Sequence, residues 1–119
     1  MNSDQAALTR SSAGMRLIAQ LTLFNRGDFK RLRAFIAESY APAALQAEIL
    51  PARLAALRGQ FASGGPLRVC QVIAADKHRV IALTQARRSG ALFYTELAVE
   101  EDYPHRITDY VHRPLAAPE

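Results

Sequence analysis

The sequence predicts an α+β fold in which helices come first and an antiparallel sheet follows. In the first half, apolar residues recur at helical spacing, and after Gly64-Gly65-Pro66 the period changes to that of strands. The links between the predicted strands are only two to five residues long, too short for a parallel crossover. We therefore expect three N-terminal helices packed on one face of a four-stranded antiparallel sheet.

Three amphipathic helices are predicted between the turn-rich segments of the first half. Gly27 suits a left-handed end of the first helix, and Asp28 suits the N-cap of the second. Pro42 and Pro51 each suit a first helical turn, so a short helical piece from about Ala43 to Glu48 precedes the third helix. The apolar stripes are Leu17, Ile18, Leu21 and Phe24; Phe29, Leu32, Phe35 and Ile36; and Leu50, Leu54, Leu57 and Phe61.

The predicted strands have apolar residues on both faces. They run over Leu67 to Ala74, His78 to Arg87, Ala91 to Glu100 and Arg106 to Arg113. Pairing them about their turns places on one face Leu67, Val69, Gln71, Ile73, Val80, Ala82, Thr84, Leu92, Tyr94, Glu96, Ile107, Asp109 and Val111. The other face carries Cys70, Val72, Ile81, Leu83, Phe93, Thr95, Leu97, Val99, Thr108, Tyr110 and His112. Because the helices can cover only one face, we expect a homodimer packed sheet to sheet.

Length and composition indicate a single globular domain. The chain has 119 residues, of which 50% are apolar and 22% charged, which excludes a disordered or collagen-like chain. We expect a flexible segment over 1–12, the domain over 13–114 and a tail over 115–119. The sequence shows neither a secretory signal nor an apolar run long enough to span a membrane, which predicts a cytoplasmic protein.

Other function classes lack their sequence signatures. The net charge of +4 is spread along the chain without aromatic interleaving, so nucleic-acid binding is not expected. His78, His105 and His112 lack metal-ligand spacing, and Cys70 is predicted to be a buried small hydrophobe. Gly64-Gly65 leads into a strand and is a turn, not a phosphate loop, so no cofactor is expected.

Four segments together show a familiar pattern: Leu23-Phe24-Asn25-Arg26-Gly27-Asp28; Phe35-Ile36-Ala37-Glu38-Ser39-Tyr40; Pro51-Ala52-Arg53-Leu54-Ala55-Ala56-Leu57 running into Gly64-Gly65-Pro66-Leu67; and Tyr103-Pro104-His105-Arg106-Ile107. They resemble the nuclear transport factor 2-like (cystatin-like, SnoaL-like) superfamily. More narrowly, they look like the accessory domain that precedes the catalytic part of β-lactamase-class serine hydrolases and tail-specific-type peptidases. The resemblance implies a curved sheet, a conical cavity and sheet-mediated dimers. It departs at Asp109, where such a strand would carry a small residue or glycine.

The leading functional expectation is a non-catalytic or weakly characterised binding module, and the question of enzymatic activity stays open. It would hold a small apolar ligand or a partner segment in the conical cavity between the helices and the sheet. The expected pocket residues are Leu17, Leu21, Phe35, Leu54, Tyr94, Tyr110 and His112.

The alternative is a small enzyme of isomerase, cyclase or hydrolase type acting on a hydrophobic substrate. The predicted pairing puts Glu96 opposite Asp109, with Tyr94 on the same face. Two carboxylates in an apolar pocket would raise each other's pKa and provide a proton acceptor near neutral pH. The same carboxylates could instead form surface ion pairs with Arg79 and Arg106.

Overall fold

A computed structural model describes residues 3–115 as five helices followed by four strands. The helices are α1 (Ser3–Thr9), α2 (Ser12–Asn25), α3 (Phe29–Ser39), α4 (Pro42–Ala47) and α5 (Leu50–Gly64). The strands are β1 (Leu67–Ala75), β2 (Arg79–Ala86), β3 (Leu92–Val99) and β4 (Ile107–Pro114). This confirms the α+β class and the order of helices before strands. Residues 116–119 of the predicted tail lie outside the described residues.

The helix ends follow the predicted capping residues. The Asp28 carboxylate accepts a hydrogen bond from the Arg31 N–H at 3.1 Å and caps α3. Gly27 has a φ of 66°, a left-handed value that suits glycine after α2. Helix α1 was not predicted, and it packs on α2 so closely that a Cβ at Gly14 would lie 2.0 Å from the Leu8 carbonyl oxygen.

The sheet is an antiparallel meander in the order β1-β2-β3-β4, as predicted. The predicted pairing of β2 with β3 is wrong by one residue, because Val80 pairs with Leu97 and Ala82 with Thr95. The link between Ala86 and Ala91 spans positions 87–90 and is closed by a hydrogen bond between these two residues. Because four residues separate Ala86 from Ala91, odd-numbered residues of β3 pair with even-numbered residues of β2. This places Phe93, Thr95 and Leu97 on the face of Val80.

Register shifts account for the other differences from the predicted faces. In β1 the shifts fall between Val69 and Gln71 and between Val72 and Ala74, so Cys70 is half-buried beside a bulge instead of fully buried. A further shift between Ala98 and Val99 changes the pairing of β3 with β4. Each bulge adds a residue to one strand and so reverses the faces of all residues beyond it.

The core lies between the helices and one face of the sheet. Leu17, Leu32 and Ile36 of the helices are fully buried against strand residues that include Leu97 and Ile107. Burying such side chains contributes about 1.5–3 kcal/mol each relative to exposure. Within residues 3–115 no helix is long and apolar enough to cross a membrane.

The sheet's other face, called here the open face, points away from the helices. It carries half-buried apolar side chains together with exposed arginines, and the sheet is not strongly curled, in contrast to the expected cone. The register assigns to it Arg79, Ile81, Leu83, Leu92, Tyr94, Glu96, Val111 and Arg113. The open face therefore has apolar character, and no other element of residues 3–115 covers it.

Candidate ligand-binding site

A cavity of about 240 Å³ lies where α4 and α5 face the C-terminal half of β4. Its wall combines aromatic, charged and amide side chains with two aliphatic ones. The residues that line it are Tyr40, Glu48, Arg53, Ala56, Leu57, Gln60, Tyr110 and His112. The cavity therefore joins the end of α3, the α4–α5 region and the sheet in one site.

Tyr40 forms the part of the wall nearest to α2. Its side chain is buried and its hydroxyl donates a hydrogen bond to Gln20 Oε1 at 2.6 Å. Burial raises the pKa of Tyr40 above its ordinary value, and burial raises the pKa of Tyr110 in the same way. Both phenols are therefore neutral hydrogen-bonding groups at physiological pH.

Arg53 is held in place by several contacts at once. Its Nε donates to the Glu48 carbonyl at 2.8 Å and its Nη2 to the Ala44 carbonyl at 2.7 Å, which satisfies the end of α4. Its Nη1 lies 3.5 Å from Glu48 Oε1, and its guanidinium carbon lies 4.9 Å from the centre of the Tyr40 ring. The charge of Arg53 is therefore already balanced inside the site.

His112 is connected to the core of the sheet by two threonines. Its Nδ1 lies 2.9 Å from Thr95 Oγ1, and Thr95 Oγ1 lies 2.9 Å from Thr84 Oγ1. The Phe93 ring stacks on the imidazole at 4.3 Å between centroids. Burial lowers the pKa of His112 to about 4, so its imidazole is neutral at pH 7.

Three polar atoms in and behind this wall are buried without a hydrogen-bond partner in the described part of the chain. They are Gln20 Nε2, Gln60 Oε1 and His112 Nε2. Tyr110 lies close to Gln20, but no hydrogen bond of good geometry reaches the Gln20 Nε2. A buried polar group without a partner costs about 1–3 kcal/mol, so the two such atoms on cavity-lining residues, those of Gln60 and His112, indicate a site that a ligand can complete.

Two larger depressions are more open to solvent. One, of about 510 Å³, lies between α2 and the segment of Pro104 and His105, and Arg16 there already donates to both of their carbonyls. The other, of about 500 Å³, lies beside Asp76 and Asp109. Among the described residues no group of His, Cys, Asp and Glu side chains could hold a metal ion. Neither depression presents a buried polar atom without a partner.

The structure brings together only part of the predicted pocket. Of the predicted pocket residues, Tyr110 and His112 line this cavity. Leu17, Leu21 and Leu54 are buried in the core instead, and Phe35 packs against its edge. Tyr94 lies on the open face, so the structure separates it from the other predicted pocket residues.

The predicted carboxylate pair does not form. Glu96 is paired with Val111 and Asp109 with Ala98, so the two carboxylates lie on the same face but are displaced by two residues instead of directly opposite each other. Asp109 is exposed, while Glu96 accepts a hydrogen bond from Tyr94 and lies 3.1 Å from Arg79 Nη1. The arrangement around Glu96 matches the ion pair with Arg79 that the sequence allowed, and it lies on the open face.

Residues that the sequence analysis missed make up most of the site. Gln20, Tyr40, Arg53 and Gln60 were not considered as candidates. A signal was present for Gln20, because it follows Leu17 by one helical turn and so falls on the apolar stripe of α2. A polar residue at a core position predicts a buried polar partner.

The fold and the cavity define a small α+β domain with a partly polar site between helices and sheet. Comparison with known proteins found no matching family model, no matching curated protein and no matching solved structure.

Proposed function

We propose that the chain is a ligand-binding module of the nuclear transport factor 2-like type, with its site in the cavity beside Tyr40 and His112. The order of helices followed by an antiparallel meander supports this proposal. The observation that carries it is the pair of buried atoms without partners, Gln60 Oε1 and His112 Nε2, on two residues that line one cavity. Such a pair would be costly in a site that stays empty.

The cavity is suited to a small ligand. Its volume of about 240 Å³ is below the roughly 300–1,000 Å³ of most ligand pockets. The aromatic and aliphatic parts of its wall, such as Tyr40 and Leu57, suit the apolar body of a ligand, while Gln60 and His112 suit a polar end. A fragment-sized molecule fits this description better than an extended partner segment.

A fragment screen by NMR on the ¹⁵N-labelled protein tests the proposal. We expect shift changes concentrated at Tyr40, Gln60, Tyr110 and His112. Ala56 lies in the cavity wall and is exposed, so Ala56→Trp should block the cavity and abolish these changes. Ala55→Trp, at an exposed neighbouring position of α5, is the matched control and should leave them intact. Shift changes that persist in Ala56→Trp, or a screen without any response at the cavity, would refute the proposal.

The partner proposed for the open face is a second copy of the chain. Ile81 and Leu83 of β2 and Val111 of β4 form an apolar strip, with Glu96 of β3 paired between Ile81 and Val111. Arg113 stacks over the Tyr94 ring beside this strip, and Asp109 lies on the other side of Val111. A two-fold axis that crosses β4 at Val111, perpendicular to the strand, would place Arg113 of each copy near Asp109 of the other. This pairing of opposite charges supports a symmetric dimer.

A further inference from the structure

The two buried threonines behind His112 determine which imidazole nitrogen carries the proton. Thr84 and Thr95 are both fully buried, and the only hydrogen-bond partner of the Thr84 hydroxyl among residues 3–115 is Thr95. If Thr95 donated to Thr84, the Thr84 hydrogen would be buried without an acceptor. All hydroxyl hydrogens are used only when Thr84 donates to Thr95 and Thr95 donates to His112 Nδ1.

This direction of the hydrogen bonds makes Nδ1 an acceptor and leaves the hydrogen of the neutral imidazole on Nε2. The Nε2 atom is the one without a partner at the cavity. His112 therefore offers an N–H donor, and Gln60 offers the acceptor Oε1. Neither atom has a hydrogen-bond partner in the described chain, so a ligand that bonds to both satisfies two buried polar groups.

The charge of the wall disfavours an anionic ligand. Among the described residues that line the cavity, Arg53 is the only one with a cationic side chain, and Glu48 together with two backbone carbonyls already binds its guanidinium. An added carboxylate would face the Glu48 carboxylate with no free positive charge. A neutral ligand avoids this repulsion.

Resting on the proposed function, we propose that the cavity recognises a small neutral amide, with its carbonyl oxygen on His112 Nε2–H and its N–H on Gln60 Oε1. Primary aromatic amides and lactams carry both groups beside an apolar ring. His112 Nε2 and Gln60 Oε1 are both buried, so a ligand reaches them only after a small movement of the imidazole and a turn of the Gln60 side chain. The Gln60 side chain makes no other hydrogen bond in the described chain that would oppose this movement.

The tautomer can be measured without any ligand. Long-range ¹H–¹⁵N NMR should show Nε2 of His112 protonated and Nδ1 unprotonated at neutral pH. Thr95→Val removes the donor to Nδ1 and should change the tautomer populations, whereas Thr108→Val on the same sheet should not. A proton on Nδ1 in the unmodified protein would overturn the proposal.

Benzamide and benzoate form a matched pair of probes with the same ring. We expect benzamide to shift the His112 and Gln60 side-chain signals. Benzoate should bind the unmodified protein at least tenfold more weakly than benzamide does. Benzamide should bind Thr95→Val at least tenfold more weakly than it binds the unmodified protein. Equal or tighter binding of benzoate would overturn the amide proposal. Binding of other fragments in the cavity without binding of benzamide would also overturn the amide proposal. In both of these cases the proposed binding function would still stand. If nothing binds and His112 donates directly to Gln60, both proposals fail.

Discussion

At the scale of single residues, the buried His112 predicts how stability depends on pH. Its pKa is about 4 in the folded protein, below the ordinary value of 6.5, so the unfolded chain binds more protons between these values. The folded state is therefore favoured by the neutral imidazole above pH 6.5, and this contribution is lost as the pH falls through about 4. Tyr40, Glu48, Arg53 and Tyr110 share its cavity.

His112→Gln should reduce the loss of stability on acidification. We expect urea unfolding at neutral pH and near pH 4.5 to differ less in this variant than in the unmodified chain, because glutamine does not titrate. His78→Gln, in the turn before β2, is the control and should keep the original pH dependence. An unchanged pH dependence in His112→Gln would contradict the burial argument.

At the scale of secondary-structure elements, Asn25 joins the end of α2 to the start of β1. Its Nδ2 donates to the Leu67 carbonyl at 2.9 Å, and its Oδ1 accepts from the Leu67 N–H at 2.8 Å. The Asn25 amide thus forms the two backbone hydrogen bonds that a neighbouring strand would otherwise form with Leu67. This explains structurally why asparagine stands in the corner before Gly27 and Asp28.

Asn25→Ala should destabilise the domain by about 2 kcal/mol, because it leaves two partly buried backbone groups of Leu67 unpaired. Urea unfolding measures the change. Asn25→Asp, which keeps an acceptor for the Leu67 N–H but loses the donor, should recover part of the loss. A cost below a few tenths of a kcal/mol for Asn25→Ala would show that water replaces both bonds.

The elements themselves could be predicted because their signals are local. Periodicity and the residues Gly27, Asp28 and Pro42 indicated helices close to those observed, and alternation indicated all four strands. Helix α1 was missed because its polar and small residues form no apolar stripe. Register was missed because the link after Ala86 and the bulges near Cys70 and Val99 leave no clear mark in the sequence.

The candidate site was harder to predict because distant parts of the chain form it. Tyr110 and His112 were expected from their strand, whereas the contact of Tyr40 with Gln20 joins two helices and depends on tertiary packing. The expected acid–base set depended on register, and the observed pairing places Asp109 two residues from the position opposite Glu96. The enzymatic alternative and the cytoplasmic location stay predictions.

At the scale of the whole molecule, the open face predicts self-association. The chain mass is 13.1 kDa, and we expect light scattering at micromolar concentration to give about twice that value. Leu83→Lys should dissociate the dimer, because it adds a charge of the same sign as Arg79 and Arg113 to the apolar strip. Phe93 was expected on the same face as Leu83, but it lies on the helix side of the sheet. A charge placed at Phe93 would therefore test folding and not dimer formation.

Ala52→Lys is the matched control for the dimer, since it adds the same charge at an exposed position of α5. It should leave the mass unchanged. A mass of 13.1 kDa for the unmodified chain at every concentration would rule out the dimer.

The two outer strands of the sheet are poor templates for aggregation. The register of β1 is interrupted twice along its length, so its free backbone groups do not form the regular row that another strand could extend. The start of β4 is covered, because Tyr40 bridges to Ile107 and the Ala41 N–H donates to the Ile107 carbonyl at 2.8 Å, and its end carries Pro114. Growth from strand edge to strand edge, the first step towards a fibril, is thus disfavoured by the irregular β1 and by both ends of β4.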